Sequence, residues 1–128
     1  MSGTSARATI LVADDDGDIR EYVRFLLQRE GYVVLAAEDG EQALRLAIER
    51  QPDLAVLDAR MPKLDGFAVT RLIRRHEVLG EMPVILLSAL SSPEDVAWGL
   101  EAGANEYLTK PLNTPEELLT QIRETLGR

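Results

Sequence analysis

The sequence has no cysteine and few aromatic residues, which make up 5% of its 128 residues. Without cysteine there can be no disulfide framework, thiolate metal site or cysteine nucleophile, and a reducing compartment is favoured. The chain also lacks an apolar run long enough to cross a bilayer, and residues 1–9 contain no apolar core of an export signal. We therefore expect a cytoplasmic protein with no membrane partner.

Basic residues are also fewer than acidic ones. Lys and Arg together number 14 against 22 Asp and Glu, and the formal net charge is −8 at pH 7. Because nucleic-acid affinity comes largely from clustered Lys and Arg, this balance argues against direct nucleic-acid binding by this chain. The length of 128 residues allows one domain with its own apolar core.

Short apolar runs alternate with stretches of helical periodicity over most of the chain. The runs predict strands at 9–13, 32–36, 54–57, 84–87 and 106–108. The stretches after them predict helices at 19–29, 41–50, 68–75, 94–102 and 116–126. Because parallel strands need helical crossovers of about a dozen residues, this alternation predicts a single-domain, doubly wound α/β fold with a five-stranded parallel sheet. We expect an N-terminal tail at residues 1–8 and the domain at residues 9–128.

Polar side chains follow four of the predicted strands at the point where each strand ends. They are Asp14 and Asp15 after the first strand, Asp58 after the third, Ser88 after the fourth and Lys110 after the fifth. Each of them alone has an ordinary explanation, such as a helix cap, a turn or a solvated charge. Because the carboxyl ends of parallel strands share one edge of the sheet, their coincidence predicts a single site.

Three carboxylates at one sheet edge predict a Mg²⁺ site. They would repel one another without a cation, and they supply the hard oxygen ligands that Mg²⁺ prefers. Asp14 and Asp15 are suited to hold the metal, whereas Asp58 stands alone before a loop with proline and glycine and is the natural covalent acceptor of a phosphoryl group. Ser88 and Lys110 would contact the transferred group, so the sequence predicts a phosphoryl-transfer site.

Four segments together resemble the receiver domain of two-component response regulators, and the resemblance covers nearly the whole chain. The segments are ILVADDD at 10–16, LDARMP at 57–62 with DG at 65–66, LSA at 87–89 and YLTKP at 107–111. The resemblance implies a flavodoxin-like (βα)5 fold with strand order 2-1-3-4-5. It also implies that Asp58 accepts a phosphoryl group from a sensor histidine kinase or a phosphotransfer protein.

The resemblance also assigns a ligand set to the metal. It implies that Asp15, Asp58 and the backbone carbonyl of Arg60 bind Mg²⁺ and that Asp14 holds a metal-bound water. The domain would then act on itself alone. It would catalyse only its own Mg²⁺-dependent phosphorylation and dephosphorylation and would not be an enzyme for other substrates.

The same resemblance implies which residues respond to the phosphoryl group. Ser88 and Tyr107 would form a switch pair, Lys110 would contact the phosphoryl group, and the Lys110–Pro111 peptide bond would be cis. Phosphorylation would then change the face made by helix four, strand five and helix five, and so control the binding of a downstream effector or output domain, or formation of a homodimer. Because the chain ends at residue 128, just after the fifth predicted helix, we expect either a stand-alone regulator or a receiver taken from a longer protein.

Two other functions would use some of the same residues. Asp14 and Asp16 fit the Asp-x-Asp-Gly motif of haloacid-dehalogenase-type phosphohydrolases, with Ser88 and Lys110 as later phosphate contacts. That family needs a further acidic pair for its metal, and no Asp follows Asp95. A flavodoxin-like binder of a flavin phosphate would need a loop rich in glycine and hydroxyl groups where this chain has its acidic triplet.

The remaining prominent residues are interpreted as surface features. Trp98 lies off the apolar face of helix four, with Val96 and Leu100 expected to point inward, and is predicted to belong to a partner-facing patch. His76 is expected at the C-terminal end of helix three, without a chemical role. The arginines within residues 71–75 are interpreted as a solvated helix face.

Overall fold

Strands and helices alternate through residues 7–127, the part of the chain that the computed structural model describes. The strands are β1 (Thr9–Ala13), β2 (Val33–Ala37), β3 (Leu54–Leu57), β4 (Val84–Ser88) and β5 (Glu106–Thr109). The helices are α1 (Gly17–Arg29), α2 (Gly40–Arg50), α3 (Gly66–Arg75), α4 (Pro93–Ala102) and α5 (Pro115–Thr125). Neighbouring strands are parallel in the order β2-β1-β3-β4-β5, so the predicted doubly wound α/β fold with strand order 2-1-3-4-5 is confirmed.

Two ends of the chain lie beyond this description. Residues 1–6 of the predicted tail and Arg128 are outside the described residues. Within residues 7–127, no helix is long and apolar enough to cross a membrane.

Element boundaries differ from the prediction by one or two residues, for local reasons. Helices α1 and α3 begin earlier than predicted because the side chains of Asp16 and Asp65 accept hydrogen bonds from N–H groups of the first turn. Strand β4 extends by one residue, since Ser88 still pairs with Thr109 of β5. Ser88 is therefore the last residue of its strand and not the first residue after it.

Two apolar layers cover the opposite faces of the sheet, because alternate residues of a strand point to opposite sides. One layer packs the sheet against α2 and α3, and the other packs it against α1 and α5. Leu11 and Leu86 belong to the first layer and Ile10 and Ile85 to the second, all fully buried. This double burial explains why the strands appear in the sequence as continuous apolar runs.

Gly66 brings the start of α3 against the end of β3. Its N–H donates to the carbonyl of Ala59 at 2.8 Å, and a Cβ atom at this position would lie 2.3 Å from the carbonyl oxygen of Asp58. No side chain fits in that space, so glycine is required by the close backbone approach. The segment from Asp58 to Gly66 is thereby held tightly over the carboxyl edge of the sheet.

Candidate functional site

The carboxyl edge of the sheet contains an open depression of about 370 Å³, which we call the acidic depression. Loops that follow β1, β3 and β5 and the last residue of β4 all contribute to it. Every strand-end group predicted from the sequence is among its lining residues. The lining residues are Asp14, Asp15, Asp16, Ile19, Asp58, Arg60, Ser88, Ala89 and Lys110.

Lys110 connects the two buried carboxylates of the acidic depression. Its Nζ donates to Asp14 Oδ2 at 2.6 Å and to Asp58 Oδ2 at 2.9 Å, and its backbone N–H donates to the Ser88 carbonyl at 2.9 Å. Burial alone would lower the pKa of Lys110, but the hydrogen bonds to both carboxylates outweigh it and raise the pKa. The ammonium therefore stays charged at neutral pH. The Lys110–Pro111 peptide bond is cis, as predicted.

Asp14 is almost fully buried, with 4% of its surface exposed. Its Oδ1 accepts from the N–H of Asp16 at 2.9 Å, and its backbone carbonyl accepts from the guanidinium of Arg20 at 2.8 Å. Burial raises the pKa of Asp14, the hydrogen bond from Lys110 opposes that rise, and the nearby charge of Asp58 adds to it. Burial of the Asp14 carboxylate therefore carries a desolvation cost, which the hydrogen bond from Lys110 offsets in part.

Asp58 lies on the floor of the depression with 7% of its surface exposed. Its backbone N–H donates to the carbonyl of Ala13 at 2.9 Å, which ties the end of β3 to the end of β1. One carboxylate oxygen accepts from the N–H of Arg60 at 3.0 Å and the other from Lys110. The carboxylate is therefore oriented from two sides while the depression leaves it open to a small reactant.

Three carboxylates of the site fit a divalent cation. Asp14, Asp15 and Asp58 each offer one carboxylate oxygen, and these oxygens lie within 4.8 Å of one another. Asp15 is exposed, whereas the other two are buried, so the group opens toward solvent on the Asp15 side. This set of hard oxygen donors is the kind that Mg²⁺ prefers. The chemistry of the residues present therefore fits the metal that the sequence predicts.

Asp16 is oriented differently from its two acidic neighbours. Its carboxylate accepts from the N–H groups of Asp18 at 2.9 Å and Ile19 at 3.2 Å, and so caps α1. Because that carboxylate is engaged by the helix, it is poorly placed to take part in the reaction of the phosphohydrolase alternative. The acidic triplet thus divides into two potential metal ligands and one helix cap.

Ser88 and Tyr107, the predicted switch pair, meet at Leu90. Ser88 is fully buried and its Oγ accepts from the N–H of Leu90 at 3.2 Å, while the Tyr107 hydroxyl donates to the carbonyl of Leu90 at 2.6 Å. Burial raises the pKa of Tyr107, so its hydroxyl remains a proton donor. The two side chains are therefore linked through the segment that leads into α4.

Helix α4 has a different inner face from the predicted one. Leu100 is 47% exposed, so the expectation that it points inward is wrong, and the buried positions are Gly99 and Ala102. The helix packs closely because small residues face the sheet: a Cβ at Gly99 would lie 2.7 Å from atoms of both Leu86 and Tyr107. Trp98 is 56% exposed on the outer side, and its role in a partner-facing patch stays a prediction.

Two arginines have structural roles that the sequence did not predict: Arg20 beside the site and Arg74 in the last turn of α3. Arg20, which holds the Asp14 carbonyl, has no feature that separates it from other helix arginines, except its place one turn after the acidic triplet. The expectation that Arg74 is solvated is wrong: its side chain is half-buried and hydrogen-bonded to four groups. His76 ends α3 as predicted.

Comparison with known proteins identifies the family. The family described as the response regulator receiver domain matches residues 10–123, and the chain belongs to this family of two-component systems. The DNA-binding dual master transcriptional regulator RpaA of Synechocystis sp. is 43% identical to this chain over 119 residues, which are 93% of this chain and 49% of RpaA. The chain spans about half the length of the curated relatives that it matches.

Solved receiver domains have the same fold. The receiver domain of the Francisella response regulator 1452 is 35% identical, with a TM-score of 0.88 over 95% of this chain and 98% of that chain. The BeF3-activated DrrB receiver domain is 38% identical, with a TM-score of 0.85 over 96% of this chain and 100% of that chain. The receiver-domain family matches residues 10–123, a range that includes Asp58 and Lys110–Pro111, to which the phosphohydrolase alternative gives no role, so that alternative is not favoured.

Proposed function

We propose that Asp58 accepts a phosphoryl group from the phosphohistidine of a sensor histidine kinase or a phosphotransfer protein, in a Mg²⁺-dependent reaction. The observation that carries this proposal is the position of the Lys110 ammonium, 2.9 Å from Asp58 Oδ2 and 2.6 Å from Asp14 Oδ2, inside an open depression. A cation in this place orients the acceptor and offsets the negative charge that arrives with phosphate. A cytoplasmic location stays the expectation from the sequence.

The transfer makes one bond and breaks another. A carboxylate oxygen of Asp58 attacks the phosphorus, the bond between phosphorus and the donor imidazole nitrogen breaks, and that nitrogen keeps the electron pair. The product is an acyl phosphate on Asp58. In dephosphorylation, water attacks the phosphorus, the bond between phosphorus and the Asp58 oxygen breaks, inorganic phosphate leaves with the protons of the water, and the carboxylate is restored. These two reactions on its own side chain are the only ones that we propose this domain catalyses.

The acidic group gives the reaction its metal requirement. Asp14, Asp15 and Asp58 are the side chains that would hold Mg²⁺, together with the backbone carbonyl of Arg60. When bound, Mg²⁺ supplies positive charge for the phosphoryl oxygens and relieves the repulsion among the carboxylates. The N–H of Arg60 orients the Asp58 carboxylate from within the same loop through a hydrogen bond of 3.0 Å.

The added group changes the contacts of the switch pair. A phosphoryl group adds roughly −1.5 to −2 charges and three acceptor oxygens, which compete for the Ser88 hydroxyl and the Lys110 ammonium. Ser88 Oγ would then release the N–H of Leu90, whose carbonyl binds Tyr107. The rearrangement therefore reaches α4, β5 and α5, the face that we propose controls partner binding.

The partner on that face is an output domain, a downstream effector or a second copy of the chain. RpaA is by name a DNA-binding transcriptional regulator, and about half of its length lies outside the match with this chain. DrrB is a receiver domain that BeF3 activates, which supports a switch that responds to a phosphoryl-like group. We propose that DNA contact, where it occurs, belongs to an output domain, since this domain carries a net charge of −8.

Labelling with a small-molecule phosphodonor tests the acceptor. Wild type incubated with Mg²⁺ and acetyl phosphate should gain the mass of one phosphoryl group on Asp58, and removal of Mg²⁺ with a chelator should abolish the gain. Asp58→Asn should not be labelled, whereas Asp18→Asn, a change at an exposed position of α1, should be labelled like wild type. Label that persists in Asp58→Asn and disappears in Asp14→Asn would reject the proposal in favour of the phosphohydrolase.

A further inference from the structure

Arg74, in the last turn of α3, binds three backbone carbonyls in two segments outside its own helix. Its Nε donates to the carbonyl of Gly103 at 2.9 Å, and one terminal nitrogen donates to the carbonyls of Met82 at 2.6 Å and Gly80 at 3.3 Å. The other terminal nitrogen donates to Asn105 Oδ1 at 2.8 Å. The guanidinium thus joins the end of α3, the segment before β4 and the C-terminal end of α4.

The same contacts extend to the sheet through Asn105. Its Oδ1 accepts from the N–H of Val84 at 2.9 Å as well as from Arg74, and its own N–H donates to the Val84 carbonyl at 2.8 Å. The stem of Arg74 also covers Gly103, where φ is +116° and a Cβ atom would lie 2.7 Å from Arg74 Cγ. The end of α4 is therefore fixed both to the start of β4 and to α3.

The guanidinium is suited to hold these groups permanently. Burial lowers the pKa of Arg74 and nearby Glu81 opposes that shift, but an arginine side chain remains protonated in proteins. Its planar fork of five N–H donors matches several carbonyls at once, which the point charge of a lysine cannot do. Loss of the fork would leave half-buried carbonyls without partners, which is costly.

The N-terminal end of α4 is held in a different way. Leu90, just before the helix, is bonded to Ser88 and Tyr107, the two side chains of the proposed switch. The capping box of Ser92 and Asp95 lies within the helix start itself and can move with it. One end of α4 is thus bonded to residues that respond to the phosphoryl group, and the other end to Arg74, which has no contact with the acidic depression.

We propose that Arg74 is a positioning residue that anchors the C-terminal end of α4, so that the change caused by phosphorylation is confined to the Leu90 segment and the N-terminal half of the helix. The inference rests on the proposed function, because it concerns how a signal from Asp58 is transmitted. In this proposal the N-terminal end of α4 moves while its C-terminal end stays fixed, so that the helix pivots about the contact between Arg74 and Gly103. The exposed Trp98 lies between the pivot and the N-terminal end of the helix.

Amide hydrogen exchange with and without Mg²⁺ and beryllofluoride measures which end of α4 changes. In wild type, beryllofluoride should change exchange at the amides of Leu90 and Val96, while exchange at Gly103, Ala104 and Asn105 should change less than about twofold. In Arg74→Lys, exchange at Gly103, Ala104 and Asn105 should rise roughly tenfold or more even without beryllofluoride, because the hydrogen bonds from the charged guanidinium are lost. Beryllofluoride should then alter exchange along the whole helix.

Matched variants separate anchoring from general destabilisation. Arg75→Lys changes the neighbouring, exposed arginine and should behave like wild type. Asn105→Asp keeps an oxygen that can accept from Arg74 and Val84, so the pivot should be retained. A uniform rise of exchange in Arg74→Lys that includes α1 and α2 would overturn the proposal, as would wild-type changes at Gly103 to Asn105 as large as those at Leu90.

Failure of the proposed function would be recognised separately. Mass spectrometry of samples treated with acetyl phosphate reports whether Asp58 is labelled, and an absent label rejects that function. The pivot is then judged on the unlabelled protein alone. Exchange that rises only near Gly103 in Arg74→Lys supports the anchor, and exchange that is unchanged there or raised everywhere rejects it.

Discussion

The ammonium of Lys110 lies 2.6 Å from Asp14 Oδ2, although 96 positions separate the two residues in the sequence. The contact exists because β1 and β5 are parallel strands of one sheet and end at the same edge. Lys110 also bonds Asp58, which directly follows β3, so a single cation offsets two buried anions. The consequences of this arrangement can be measured without a phosphodonor.

Lys110→Met should lower the free energy of unfolding by about 2 kcal/mol in buffer free of divalent cations. The change removes the cation and leaves Asp14 and Asp58 buried beside each other. Added Mg²⁺ should recover part of the loss, because a ligand that binds only the folded state stabilises it. Urea unfolding followed by circular dichroism measures both effects.

The chain's other lysine provides the control for that experiment. Lys63 lies 3.7 Å from Asp39, but its side chain is 58% exposed. An exposed pair of this kind contributes little, so Lys63→Met should change stability by less than about 0.5 kcal/mol. Equal losses in the two variants would show that the buried position of Lys110 has no special importance.

Asp14→Asn should raise the free energy of unfolding at pH 7 when Mg²⁺ is absent. Burial raises the pKa of Asp14 above its ordinary value of 3.8, so the folded state binds the proton more tightly than the unfolded state. The stability associated with that proton is present below pH 3.8 and is lost as the pH rises through the raised pKa. The advantage of the Asn variant should therefore be full at pH 7 and vanish in acid.

Urea titrations of Asp14→Asn and wild type over a pH series test this sign. Asp18→Asn, at an exposed position, is the control and should track wild type throughout. An Asn variant that is less stable than wild type at neutral pH would mean that the pair with Lys110 outweighs the cost of burying Asp14.

Gly99→Ala should destabilise the protein by about 1 kcal/mol, although alanine is the better helix former. Helix propensity favours the change by about 1 kcal/mol, but overpacking typically costs about 1–3 kcal/mol, and the new Cβ would lie 2.7 Å from atoms of Leu86 and Tyr107. Gly17→Ala is the control, because its Cβ would meet only the end of the Arg20 side chain at 3.5 Å. Thermal unfolding should separate the two variants, and equal midpoints would contradict close packing of α4 on the sheet.

His76→Ala should cost about 1 kcal/mol. The Nδ1 atom of His76 accepts from the N–H groups of Val78 at 3.1 Å and Leu79 at 3.3 Å and so closes the turn after α3. His76→Asn supplies a side-chain oxygen of similar reach and should restore most of the stability. If Asn is no better than Ala in urea unfolding, the imidazole contributes through packing and not through these bonds.

Much of the site could be predicted because its residues lie at the ends of the strands or just after them. Asp14, Asp58 and Lys110 lie just after buried strands, and the rule that parallel strands end at one edge is independent of packing detail. The inner face of α4 could not be predicted in this way. Its weak apolar periodicity favoured Leu100, whereas the close contact at Gly99 depends on the shape of the sheet surface beneath it.

Three features could be predicted without coordinates: the alternation of strands and helices, the set of charged groups at one sheet edge and, through the family resemblance, the order of the strands. These follow from local periodicity and from chain connectivity, which are written along the chain. The contacts between distant groups became known only from the folded structure: Lys110 bridges Asp14 and Asp58, and Arg74 is bonded to Gly103. Such contacts depend on distances between elements far apart in sequence, and residue type alone does not specify those distances.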